Sequence, residues 1–158
     1  MKHGPSADRK AYHHDTANAK FGIVVAEWNP EITFTLRDGA VDFLKQQGVA
    51  EENIMVKYAS GAFELPLAGQ YMAKHVDAVI CIGCLIKGET PHFEYISSAV
   101  SHQLSELSIK HNKPFAFGVL TVNTEAQALD RAGGAFGNKG VEAAEAVYHL
   151  LSLANELK

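Results

Sequence analysis

Asp77-Ala78-Val79-Ile80-Cys81-Ile82-Gly83-Cys84-Leu85-Ile86 runs straight into Lys87-Gly88-Glu89-Thr90-Pro91-His92-Phe93-Glu94-Tyr95, and the change of pattern between the two decides the fold. The first half is almost unbroken apolar sequence, which reads as a strand buried on both faces. From the second half onward Phe93, Ile96, Val100, Leu104 and Leu107 recur at spacings of 3, 4, 4 and 3, the stripe of an amphipathic helix. Thr90 is placed to cap that helix, and Pro91 suits its first position, where a missing N–H costs nothing. A helix opening at a strand end turns free N–H groups and a positive pole outward, which favours an anion such as phosphate. Lys87 adds charge nearby. His92, one residue into the helix, is the residue type that exchanges protons near neutral pH. One reading is chemistry on a small phosphorylated molecule. The other is a well-capped surface helix with an incidental histidine, and this stretch alone does not separate them.

The same alternation recurs on either side. A strand is expected over 21–26, then Asn29 as a cap, Pro30 at the first helical position, and Ile32, Leu36, Ala40, Phe43 and Leu44 as an apolar face stopped by Gly48. A second strand over 54–58 leads through Ser60-Gly61-Ala62-Phe63-Glu64-Leu65-Pro66 into a helix reaching about Lys74. The central helix should end before Asn112-Lys113-Pro114, and a fourth strand occupies 115–120. Thr124 and Gln127 have capping-box spacing for a short helix ending near Arg131. After a glycine-rich loop over 133–140, Val141, Ala144, Val147 and Leu151 mark a closing helix. Strand–helix units in series require parallel strands joined by right-handed crossovers. The expected fold is therefore a three-layer α/β domain of the flavodoxin-like kind, a four-stranded parallel sheet with helices on both faces. It should span 20–158, behind a flexible arm of residues 1–19.

Composition narrows the class. With 47% hydrophobic and 20% charged residues over 158 positions, the chain reads as one globular domain able to bury a core. A net charge of −4 without a long basic run leaves no footprint for nucleic acid. The longest apolar run, about ten residues, is too short for a bilayer, and nothing resembles a signal peptide. A cytoplasmic protein is expected. Cys81 and Cys84 have the spacing of a redox or zinc pair, but residues three apart on a strand point to opposite faces, so they read as packing groups.

In sheets of this kind ligands bind beyond the carboxyl ends of the strands, and the unusual residues fall there. Trp28, the sole tryptophan, would stack on a flat heterocycle or lie as a lid on a helix end. Glu64 would accept hydrogen bonds from a polyol, or simply complement a helix N-terminus. Arg131 would clamp phosphate with its planar fork, or sit solvated. Phe117, mid-strand, is core on pattern alone. Gly133 to Gly140 is no P-loop: glycine is missing before Lys139, Ser or Thr is missing after it, and a helix precedes it. No G-x-G-x-x-G follows a strand, and no His, Cys or carboxylate set has metal-ligand spacing; His13 and His14 read as solvated.

Taken together, Gly61-Ala62-Phe63-Glu64-Leu65-Pro66, Lys87-Gly88-Glu89-Thr90-Pro91-His92-Phe93, Phe117-Gly118-Val119-Leu120, Arg131-Ala132-Gly133 and Gly137-Asn138-Lys139-Gly140 resemble the lumazine synthase family, over roughly residues 21–153. The resemblance implies condensation of 5-amino-6-(D-ribitylamino)uracil with 3,4-dihydroxy-2-butanone 4-phosphate to 6,7-dimethyl-8-ribityllumazine, the penultimate step of riboflavin biosynthesis, without a cofactor or metal. By matching motifs His92 transfers protons, and Glu89, Thr90 and Arg131 hold the phosphate. Trp28 stacks on the pyrimidine, Ala62, Phe63 and Glu64 contact the ribityl side, and Cys84, Leu85 and Ile86 the ring edge. Phe117, Arg131 and Lys139 reach the site from a neighbouring subunit of a homo-pentamer. A sixty-subunit shell and an association with riboflavin synthase stay open. The chain departs from the family's usual pattern at Trp28 (Phe), Ser60 (Pro), Lys87 (Arg) and Phe136 (often His). Two other readings share the fold. An FMN carrier would usually have a Ser/Thr-rich loop after its first strand, where this chain has Glu27-Trp28-Asn29-Pro30-Glu31. A non-catalytic lumazine- or flavin-binding shell paralogue has less reason to keep His92, Glu64, Arg131 and Lys139 together.

Overall fold

Continuous apolar runs become the two central strands of a parallel sheet, because helices cover both their faces. The computed structural model describes residues 12–158. Strands β1 (Phe21–Ala26), β2 (Ile54–Ala59), β3 (Ala78–Ile86) and β4 (Phe115–Val122) lie in the order β2-β1-β3-β4, every neighbouring pair parallel. All six residues of β1 are buried. Phe21, Ile23 and Val25 point to the layer of α1 (Pro30–Gln46) and α5 (Lys139–Glu156), while Val24 and Ala26 point to that of α2 (Leu65–Met72) and α3 (His92–His111). Cys84 joins the first layer and Cys81 the second, so the two thiols sit on opposite sides of the sheet. Burial pushes Cys81 up to about 12 and, with the Glu125 carboxylate adding to it, Cys84 up to about 11. Both are neutral packing groups. The order is that of a flavodoxin-like sheet, with its reversal between β1 and β3.

Three local expectations need correction. Helix α3 begins at His92, so Pro91 occupies the cap position and accepts from the N–H groups of Glu94 and Tyr95 at 3.1 and 3.2 Å. Thr90 is one residue too early to reach the first turn, and no side chain caps α3. Asn29 does precede α1, but in the left-handed conformation (φ 58°), and it makes no side-chain cap. Its Nδ2 instead donates to Cys84 O at 3.2 Å and ties the end of β3 to the turn after β1. Thr124 does cap α4 (Glu125–Asp130), its Oγ1 accepting from Gln127 N at 3.2 Å. The glycine-rich stretch after α4 is a small antiparallel hairpin, β5 (Ala132–Gly134) and β6 (Gly137–Asn138).

Residues 12–19 are not a flexible arm. They carry one 3₁₀ turn, His14–Asn18, seated on α5. Tyr12 meets Tyr148 edge to face at 4.9 Å and donates from its hydroxyl to Glu145 Oε1 at 3.0 Å. Thr16 is fully buried, and His13 N–H donates to Ser152 Oγ. The remainder of the expected arm lies outside the described residues. The turn brings ring nitrogens of His13 and His14 and an Asp15 oxygen within 4.8 Å of one another. These groups engage each other: His14 Nε2 lies 3.1 Å from Asp15 Oδ1, and His13 Nδ1 accepts from Asp15 N–H. Among the described residues no helix is long and apolar enough to cross a membrane.

Candidate active site

Where strand order reverses, the loops after β1 and β3 part and leave a crevice. Here it is a cleft of about 810 Å³ at the carboxyl ends of β1, β2 and β3. Trp28 and Asn29 enter it from the turn after β1, and Gly61 to Glu64 from the turn after β2. Cys84, Leu85 and Ile86 form its floor at the end of β3, and His92 and Ile96 come from the first turns of α3. Trp28 is 69% exposed and Phe63 62%. Two large rings standing open at one cleft are a costly use of apolar surface unless a flat ligand covers them.

Close approach explains the glycine among them. A Cβ on Gly61 would sit 3.2 Å from Glu64 Oε2 and 3.4 Å from Trp28 Cδ1. A side chain there would crowd the indole and the carboxylate, which both lie over this residue. Glu64 is exposed, and its carboxylate meets no donor among the described residues, which leaves it open to hydroxyl donors. His92 is exposed too, and its imidazole makes no hydrogen bond or ion pair with another described residue.

Lys87, Gly88, Glu89 and Thr90 form an exposed turn between this cleft's floor and α3. Lys87 Nζ lies 3.4 Å from Glu94 Oε1, so its charge is already shared with a carboxylate. Arg131, expected to reach Glu89 and Thr90 from a neighbouring subunit, lies away from the His92 cleft of its own chain. It lines a second cleft, about 720 Å³, along the open edge of β4 with Phe117, Lys139 and Glu142. The two clefts share no lining residue. Phe117 is 40% exposed rather than core. Its strand is an edge, which the alternation of residues cannot tell from an interior position. Lys139 Nζ sits 2.7 Å from Glu142 Oε2, one turn along α5. Asn29 and Ile96, to which the sequence assigns no substrate contact, also line the cleft.

This geometry belongs with a defined set of proteins. A family model for 6,7-dimethyl-8-ribityllumazine synthase matches residues 18–155. The chain belongs to that family. Curated relatives bearing the same name agree with it. The one from Cytophaga hutchinsonii is 53% identical over 134 residues, 84% of either chain. That from Parabacteroides distasonis is 48% identical over 132 residues, 82% of either chain. The Bacteroides fragilis protein is 50% identical over 127 residues, 79% of this chain and 89% of its own. Membership of the lumazine synthase family and the parallel sheet both accord with the resemblance drawn from five motifs. The two separate clefts are what this chain's own structure adds to it.

Proposed function

We propose that this chain joins 5-amino-6-(D-ribitylamino)uracil to 3,4-dihydroxy-2-butanone 4-phosphate, releasing 6,7-dimethyl-8-ribityllumazine, phosphate and water, in riboflavin biosynthesis. What carries the reading is the cleft at the reversal point, with stacking ring, carboxylate and histidine together in a member of this family. The substrate amine attacks the ketone and water leaves; phosphate is eliminated, and the second nitrogen closes the ring with loss of water. Each step moves a proton, and His92 at the cleft wall carries an imidazole, a side chain that can both give and take one. Trp28 stacks on the pyrimidine, Ala62, Phe63 and Glu64 take the ribityl chain, and Cys84, Leu85 and Ile86 border the ring. Glu89, Thr90 and the uncapped first turn of α3 receive the phosphate, whose charge the helix pole favours. Much of the acceleration comes from holding two reactants in register.

The phosphate assignment of Arg131 then requires a second subunit. Its cleft on the β4 edge carries Phe117 and Lys139 and lacks a histidine, while the His92 cleft lacks a lysine or arginine. Half-sites on different surfaces of one chain suit a head-to-tail ring, in which each subunit completes its neighbour's site. A homo-pentamer is the ring that this reading adopts.

Two tests follow. Arg131→Ala should raise KM for the butanone phosphate about tenfold, the loss of one charged hydrogen-bonding partner, and leave KM for the pyrimidine nearly unchanged. Inorganic phosphate should compete with the same substrate. Equal effects on both substrates would remove Arg131 from the phosphate. For assembly, His92→Ala and Lys139→Ala chains, each impaired alone, should regain activity when co-assembled, because about a quarter of the sites in a randomly mixed ring are intact. A fully active monomer by light scattering would overturn the shared site.

A further inference from the structure

We propose that Phe136, in the turn of the β5–β6 hairpin, is a positioning residue that holds the Arg131 guanidinium in the orientation in which it meets the phosphorylated substrate. The proposal rests on the assignment of Arg131 to phosphate made above. Phe136 is 61% exposed and lines neither cleft, so it is not there to fill the core. What its ring meets is a cation: the Arg131 Cζ lies 4.8 Å from the ring centroid, within the range of a cation–π contact.

The contact is built from both sides. Phe136 N–H donates to Asp130 O at 2.8 Å, and Lys139 N–H donates to Arg131 O at 2.9 Å, so the hairpin is fastened to the end of α4 before and after the ring. Arg131 is steadied by its own Nη1, which donates to Gln127 O at 3.0 Å. One edge of the guanidinium is thus held by a carbonyl and one face by an aromatic ring. A guanidinium has five N–H donors, and these contacts occupy one of them. An aromatic face restrains the plane without taking up any further donor, which a carboxylate or a carbonyl in the same place would do. The remaining donors stay available to an anion in the cleft that Arg131 shares with Phe117 and Lys139.

The test uses the full-length protein, the butanone phosphate and inorganic phosphate. Phe136→Leu keeps apolar bulk and removes the ring. It should raise KM for the butanone phosphate and Ki for inorganic phosphate together, by about two- to fivefold, the strength of an exposed cation–π contact. KM for the pyrimidine should not move, and Phe136→Tyr, which restores the face, should recover the affinity. In an Arg131→Ala background Phe136→Leu should add nothing. The proposal is overturned if Phe136→Leu leaves phosphate affinity unchanged while Arg131→Ala weakens it, or if the two effects add in full. If instead Arg131→Ala leaves phosphate affinity unchanged, it is the underlying assignment of Arg131 that has failed.

Discussion

His92→Ala should lower kcat about 10- to 100-fold and leave KM for both substrates nearly unchanged. One acid–base group is typically worth about 10²- to 10⁴-fold. The low side is expected here because a condensation between two well-held reactants needs less help from any single proton carrier. The imidazole stands at the wall of the reversal-point cleft, exposed, and engaged by no other described residue. It is therefore available to substrate and unnecessary to the fold, so the variant should fold normally. Affinity should persist because stacking falls to Trp28, and the phosphate to the first turn of α3 and Arg131. His111, at the far end of the same helix, is the control. Its ring faces Gln70 Oε1 at 3.5 Å and Phe115 and lines neither cleft, and His111→Ala should leave kcat unchanged. The measurement is lumazine formation followed by absorbance, from about pH 6 to 8, the range over which a histidine changes charge. A His92→Ala enzyme turning over at the wild-type rate throughout would take this residue out of the proton transfers.

What the sequence reveals and what it hides have separate physical causes. β1 is legible to the residue because burial on both faces leaves one apolar run between Lys20 and Glu27. β4 runs two residues past its expected end, since exposed Thr121 breaks the apolar run while its backbone stays in the ladder. The β5–β6 hairpin is invisible because its short strands are mostly glycine and alanine, with no alternating side chains to read. Residues 12–18 deceive for a different reason. Two side chains, Tyr12 and Thr16, do the docking, and two anchors among polar neighbours have no period. In the candidate site Trp28, Glu64 and His92 are legible because strand ends are where a parallel sheet gathers its ligand contacts. The role of Asn29 in tying β1 to Cys84 O is not, since the bond spans 55 residues of sequence. Phe117 fails as a core residue for a related reason: its fate depends on β4 lying at the edge, and strand order is a property of the whole sheet.

The largest effect on stability should come from one missing methyl group. A Cβ on Gly140 would sit 1.9 Å from Leu36 O and 2.6 Å from Leu36 C. Both atoms are backbone of a buried turn of α1, so no rotamer change relieves the clash, and α5 has to move bodily. α5 is poorly placed to do so. Asn138 caps it, accepting from Gly140 N–H at 2.8 Å and Val141 N–H at 3.3 Å, and the same side chain donates from Nδ2 to Thr35 O at 3.1 Å. One asparagine thus staples the start of α5 to α1. Overpacking usually costs about 1–3 kcal/mol, and a clash with a fixed carbonyl belongs at the top of that range or beyond. At about 2–4 °C per kcal/mol for a chain of this size, Gly140→Ala should lose roughly 6–12 °C in Tm, or fail to accumulate as folded protein. Function should suffer with it, because Lys139 is the neighbouring residue and its N–H is bonded to Arg131 O at 2.9 Å. Any shift of α5 is passed to both cations of the β4-edge cleft. Gly88→Ala is the matched control: a Cβ there meets nothing within 4 Å, and its Tm should stay within about 2 °C of wild type, as surface changes of ±0.5 kcal/mol allow. If Gly140→Ala melted together with Gly88→Ala, α1 and α5 would not be packed backbone to backbone, and the β4-edge cleft would lack the rigid wall on which Lys139 depends.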